Sequence, residues 1–198
     1  MDQLWKWGLV LLVVGVAAFF AFRLLGPEPG PGPAVAPEPI PEPVVEVGPP
    51  FGGEDDVAYA DSLWDVMEGY TGWESQTEVM DGGSPHGALV RIYTNTLQIL
   101  GVEVYVIVKD NYGGEDATIE TVSAAPADYL VAVTVMAQRE PGYDPENGDW
   151  YWAKYFPAGS LDVNPAGVPL AGRVAKGADT GCIACHASAE GGDYLFTE

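Results

Sequence analysis

A short string near the C-terminus carries the most specific chemistry in this sequence. Residues 182–186 read Cys-Ile-Ala-Cys-His, a C-x-x-C-H spacing that uses both cysteines and one of the two histidines of the chain. In this spacing the two thiols can add to the two vinyl groups of a haem, and the adjacent histidine can bind the iron. The string therefore predicts one covalently bound haem c, attached at Cys182 and Cys185 and ligated by His186.

Three other uses of paired cysteines fit the sequence less well. A thioredoxin-like dithiol needs a βαβ setting, and no such pattern surrounds the motif. A structural zinc site needs a further ligand, and His86 is the only other histidine. A disulfide between Cys182 and Cys185 would close a very tight loop. Haem attachment uses both thiols and leaves none unpaired in an oxidising compartment.

The elements that must position this motif are predicted from apolar periodicity. Four stretches are rich in β-branched and aromatic residues and are bounded by Gly, Pro, Asn or Asp: residues 88–95, 102–112, 129–138 and 150–156. Before them, helical spacing begins near Asp55 or Asp56, the predicted caps, and stops at Gly69. The predicted fold class is mainly β (α+β), an antiparallel sheet with a few helices packed around one covalent haem and preceded by one transmembrane helix.

The first fifty residues predict two further regions before a haem domain at 51–198. Residues 1–25 hold an uncharged apolar run from Trp7 to Phe22, which approaches the length of a membrane span. A cleaved signal peptide is the alternative, but no small-residue cleavage site follows the run, so a retained anchor is favoured. Residues 26–50 are rich in proline and glutamate, which predicts an extended linker.

The charge of the chain limits its partners. Eight basic residues against 29 acidic ones give a formal net charge of −21. Nucleic-acid binding requires basic patches, so this class of function is excluded. The acidic surface favours either a basic partner or tolerance of high salt, and the charge alone does not choose between them.

Several segments together resemble the cytochrome P-460 family, which includes the cytochromes c′-β. The resemblance runs from about Gly69 to Thr197 and depends on the order of its pieces, since only C-x-x-C-H is specific by itself. A departure is the segment LGVEV at 100–104, where the family has a Pro-Asp-Gly-like turn. The matching segments are GYTGWESQTEV (69–79), LVRIYTN (89–95), VYVIVKDNY (104–112), EPGYDPENGDWYWAKYFP (140–157) and GCIACHASAEGGDYLFT (181–197).

The resemblance implies a function and a location. A member of this family is expected to be a mono-haem c-type cytochrome, dimeric and outside the cytoplasm, whose open iron binds or oxidises hydroxylamine or nitric oxide. With the predicted anchor, this gives a single-pass protein of the cytoplasmic membrane with its haem domain on the periplasmic side, and enzymatic turnover is left open. The alternative function is an electron-transfer haem subunit docked to a larger membrane redox complex, which the acidic surface also suits.

Lys109 is the further candidate site residue. Tyr105, Ile107 and Lys109 alternate with valines along one predicted strand, so they share a face. From the pattern alone, a lysine at the end of a strand is expected to be solvated. In the hydroxylamine oxidisers of the family, a lysine at the matching position is cross-linked to the haem edge, and the resemblance offers the same role for Lys109. A strand shifted by one residue would instead turn Lys109 away.

His86 is interpreted as an exposed loop histidine, and the alternatives are a sixth haem ligand or a proton relay. Met67, Met80 and Met136 are interpreted as packing residues, with sixth ligand as the alternative for each.

Overall fold

The computed structural model describes residues 50–190 and 194–196, which lie within one compact unit spanning Glu46–Glu198. The predicted anchor at 1–25 and the predicted linker at 26–50 lie outside the described residues, apart from Pro50. The helices are α1 (Glu54–Val66), α2 (Ile119–Ala124), α3 (Pro126–Tyr129) and α4 (Cys182–His186). The strands are β1 (Met80–Asp81), β2 (Leu89–Ile99), β3 (Val102–Tyr112), β4 (Leu130–Gln138), β5 (Trp150–Tyr155) and β6 (Ala171–Gly172).

All six strands form a single antiparallel sheet in the order in which they occur in the chain. The four predicted strands correspond to β2 to β5, and β3 has the predicted bounds. The hairpin between β2 and β3 turns at Leu100 and Gly101, which both have positive φ (51° and 83°). Two residues with positive φ match the right-handed twist of paired strands. This hairpin fixes the register that places Lys109 opposite Ile92.

One face of the sheet packs against α1 and forms the main core. Val104, Val106 and Val108 of β3 are buried on this face. The hydroxyl of Tyr155 donates a hydrogen bond to the backbone carbonyl oxygen of Ala60 at 2.8 Å. The hydroxyl of Tyr151 donates to the backbone carbonyl oxygen of Asp56 at 2.6 Å. The helix begins at Glu54 with Gly53 as its N-cap, so the caps predicted at Asp55 and Asp56 are wrong. Those acidic residues instead lie in the first turn, where their negative charges interact favourably with the positive end of the helix dipole.

The other face of the sheet is covered by the segment that carries the cysteines. Ile107, Met136 and Trp152 lie side by side across β3, β4 and β5, as their register requires. Val174 and Ile183 from the C-terminal segment pack against this apolar row. The alternation along β3 therefore sends its valines to the helix side and Ile107 to the side of the cysteines.

The predicted fold class included a transmembrane helix, and the structure corrects it to a six-stranded antiparallel sheet with a few short helices. Within residues 50–190 and 194–196, no helix is long and apolar enough to cross a membrane. The longest, α1, has 13 residues and starts with three acidic side chains, whereas a span needs about 20 mostly apolar residues.

Candidate haem site

Helix α4 presents the two cysteines and the histidine of the motif in about one turn. Because side chains three apart share a helix face, Cys182 and Cys185 project to the same side. The preceding Gly181 has φ 125°, and a Cβ at this position would lie 2.3 Å from the Cβ of Ala175. Glycine is therefore required where the chain enters the motif. Neither cysteine is in a disulfide, and burial raises the pKa of the Cys182 thiol to about 11.

A cavity of about 770 Å³ lies between the sheet and the C-terminal segment. Its volume is within the range of sites that bury cofactors. Apolar side chains of Ile107, Met136 and Trp152 line its sheet side. The cavity also brings together all four site residues predicted from the sequence: Lys109, Cys182, Cys185 and His186.

His186 is buried and held in one orientation. Its Nδ1 lies 2.7 Å from the carbonyl oxygen of Tyr194, and its ring packs on Trp152 with the centroids 4.8 Å apart. A carbonyl oxygen only accepts hydrogen bonds, so Nδ1 carries the proton and Nε2 keeps a lone pair. Burial lowers the pKa of His186, which favours the neutral form that binds metals. Such a bond from the second ring nitrogen to a carbonyl is typical of histidines that ligate metals.

Lys109 lies on the cavity side of β3, so the one-residue shift that would turn it away does not occur. The half-buried side chain is opposite Thr134 of β4 in the sheet register. Burial lowers the pKa of its amine, which makes the neutral, nucleophilic form more accessible. Its cross-link to a haem stays a prediction.

Sequence comparison identifies the family. The family model for cytochrome P460 matches residues 67–197, well over half of the chain.

The chain belongs to the cytochrome P460 family.

Membership of the cytochrome P460 family indicates a haem protein that acts on nitrogen compounds. No curated protein and no solved structure matches the chain. The match begins at Met67, so α1 precedes it although this helix packs on the same sheet.

The residues of the cavity fit the haem that the P460 family implies. Two unpaired thiols and one histidine with an available Nε2 face a largely apolar space. Trp152 is 3% exposed, and its Nε1 has no hydrogen-bond partner among the described residues. A buried donor without a partner is costly, and a bound polar group would satisfy it. Within residues 50–190 and 194–196, no three His, Cys, Asp or Glu side chains cluster as a metal site would require.

Three further side chains line the cavity and were not predicted from the sequence: Thr134, Trp152 and Lys154. Alternation within WYWAKYF (150–156) was the available signal, because it places Trp152 and Lys154 on one face of β5. Lys154 is also paired with Asp162 at 2.8 Å. Thr134 is the partner of Lys109 across the sheet, which only the register reveals.

Other residues considered from the sequence fall in different places. His86 is half-buried and lines the cavity, where burial, and next the charge of Lys109, lowers its pKa to about 4. The interpretation of His86 as an exposed loop residue is therefore wrong, because its ring contacts Asn111 of β3 and faces the ring of His186. Met136 lines the cavity, Met67 is buried in the main core, and Met80 is 36% exposed.

Proposed function

We propose that this protein is a c-type cytochrome that binds small nitrogen compounds at one covalently attached haem. The observation that carries the proposal is the meeting of Cys182, Cys185 and His186 at one apolar cavity in a member of the cytochrome P460 family. Each thiol would add across one vinyl group, forming a C–S bond while its hydrogen passes to the neighbouring vinyl carbon. This addition is balanced without an oxidant.

The chain itself supplies attachment, orientation and exclusion of water. Cys182 and Cys185 anchor the haem, and His186 is positioned by the carbonyl of Tyr194 to ligate the iron through Nε2. Ile107 and Met136 keep the sheet side of the cavity apolar. When bound, the haem iron supplies a site for small ligands and for one-electron exchange.

Lys109 gives the cavity a group suited to nitrogen chemistry. Its half-buried amine has a lowered pKa, so it can give or take a proton near a bound hydroxylamine. Oxidation of hydroxylamine releases electrons, so turnover requires a one-electron acceptor. The net charge of −21 supports a redox partner with a basic surface.

Two measurements on the haem-loaded full chain test the proposal. Acid–acetone extraction should leave the haem with the protein, and nitric oxide should change the absorption spectrum of the ferrous form. Loss of the haem into the acetone phase would contradict covalent attachment. Retained haem that does not respond to nitric oxide would instead favour the electron-transfer alternative.

A further inference from the structure

His86 lies in the loop between β1 and β2 and contributes to the same cavity as His186. The backbone N–H of Gly82 donates to the carbonyl oxygen of Ala88 at 2.8 Å, and this bond closes the loop. The N–H of Ala88 donates to the carbonyl oxygen of Tyr112 at 3.2 Å, and this bond joins the loop to β3. Gly87 has φ 97°, and a Cβ there would lie 2.6 Å from the carbonyl oxygen of Tyr112. The loop is thus fastened to β3, and His86 is held over the sheet.

Asn111 determines which nitrogen of His86 carries the proton. The amide nitrogen of Asn111 donates to the carbonyl oxygens of Lys109 at 2.9 Å and Ala132 at 3.1 Å. Since carbonyls only accept, the other amide atom, Oδ1, must be the one that lies 3.1 Å from Nδ1 of His86. Nδ1 of His86 is therefore the donor, and its Nε2 keeps a lone pair.

The two histidines thus share one arrangement. Each donates from Nδ1 to a fixed oxygen, the side chain of buried Asn111 for His86 and the backbone of Tyr194 for His186. Their ring centroids are 6.0 Å apart, and the ring planes are nearly perpendicular at 88°. A bond from imidazole nitrogen to a metal is about 2 Å long, so two rings that ligate one ion from opposite sides have centroids roughly 6 Å apart.

Met136 and Lys109 are the rival ligands in the cavity. Met136 is 7% exposed and packs in the apolar cluster with Ile107 and Trp152, so its side chain already has a packing role. Among the described residues, no hydrogen bond orients the amine of Lys109 as the one to Asn111 orients His86. In His86 and His186 alike, Nδ1 is held by an oxygen acceptor and Nε2 is available. Histidines that bind metals favour this arrangement.

We propose that His86 is the second axial ligand of the haem iron, bound through Nε2 at rest and displaced by incoming small ligands. The inference depends on the proposed attachment of haem at Cys182 and Cys185 with His186 as the first ligand. It replaces the open iron expected from the family resemblance with a site that opens when His86 leaves. Ligands then bind only to the fraction of molecules in which His86 has dissociated.

Spectroscopy of the haem-loaded full chain tests this assignment. The ferric protein should be low-spin and six-coordinate by absorption and electron paramagnetic resonance. His86→Ala should convert it to the high-spin form, and added imidazole should restore the low-spin spectrum. Asn111→Ala should raise the high-spin fraction, because the His86 ring loses its orienting acceptor. Met136→Leu is the matched control and should keep the low-spin spectrum.

Ligand kinetics of the wild-type protein give a second measurement that needs no variant. The observed rate of nitric oxide binding should saturate as its concentration rises, since departure of His86 becomes limiting. If the dissociated state is populated at 0.1–10%, as minor states often are, removing His86 should accelerate binding about tenfold or more. A rate that increases linearly without limit would overturn the proposal.

The outcomes separate this inference from the proposed function. If acid–acetone extracts the haem, covalent attachment is overturned together with the inference that depends on it. Covalent haem with a high-spin ferric spectrum overturns the role of His86 alone. A low-spin spectrum that Met136→Leu abolishes and His86→Ala preserves assigns the ligand to Met136 and likewise overturns it.

Discussion

The two faces of the sheet are built from the same strands but carry different chemical groups. On the face toward α1, tyrosine hydroxyls of β5 donate to helix carbonyls, as Tyr155 does to Ala60. On the other face, Trp152 has an indole N–H without a partner in the described part of the chain, and Lys109 has a lowered pKa. The hydroxyl of Tyr59 on the α1 face also lacks a partner among the described residues, so an unpaired buried group does not by itself indicate function. The cavity face differs because it joins such a group to a lysine of lowered pKa, two thiols and a buried histidine, and this combination indicates a functional site.

Replacing both Cys182 and Cys185 by Ala should have the largest effect of these changes, the loss of covalent haem, and should affect the cavity face alone. Covalent haem attachment should be abolished, because no thiol remains to form a C–S bond. Intact-protein mass spectrometry should show the mass of the chain without haem. The core face should remain folded, since Val104, Val106 and Val108 pack against α1 without contact from the cysteines. A variant that still carried covalent haem would contradict the attachment site.

Leu63→Ala should have the largest effect on the core face. Leu63 of α1 is fully buried, and such truncations cost about 2–5 kcal/mol because they lose contacts and leave a cavity. Urea unfolding followed by circular dichroism measures the change. Ile119→Ala is the control, since its side chain is 50% exposed and the change should be within about 0.5 kcal/mol. Equal effects of the two substitutions would remove the distinction between core and surface.

On the cavity face, Lys109 should make the free energy of unfolding depend on pH. Its pKa is lowered from 10.5, mainly by burial, so between the lowered value and 10.5 the unfolded chain binds more protons than the folded protein. Stability therefore rises with pH across this window, and the buried charge reduces stability at neutral pH. Lys109→Met should be more stable than wild type at pH 7 and lose this rise in denaturant titrations at several pH values.

Lys109→Arg is the matched variant for this pH dependence. Arginine stays protonated, so the rise should also disappear, but stability should remain below that of the Met variant throughout. An amine already bonded to haem would not titrate. Peptide mass spectrometry identifies that case, because a tryptic peptide containing residue 109 would carry the haem together with Cys182 and Cys185.

Tyr155→Phe should give the smallest measurable effect. Removing its hydroxyl leaves the carbonyl of Ala60 without that donor, which should cost about 0.5–1.5 kcal/mol. Tyr59→Phe is the matched control, since its buried hydroxyl has no hydrogen-bond partner among the described residues and its loss should be nearly neutral. Neither substitution should alter the haem spectrum, and a spectral change would mean that the two faces are coupled.

Much of the sheet was predictable from the sequence, because alternation with period two reports directly which residues share a face. The strand 102–112 was placed at its observed bounds, with Ile107 and Lys109 on one side. The two-residue strands β1 and β6 were not predicted, since two residues cannot establish a period. The transmembrane helix in the predicted fold class has no counterpart among the described helices.

The spacing of Cys182, Cys185 and His186 predicts covalent haem attachment without reference to the fold, because it lies within about one helical turn and needs no distant partner. The surroundings of that motif depend on the tertiary structure. His86 lies far from His186 in the chain, and the hydrogen bond to Asn111 that orients it depends on how the loop before β2 folds onto β3. Local spacing fixes chemistry within a turn of helix, whereas contacts across a sheet depend on strand pairing and register.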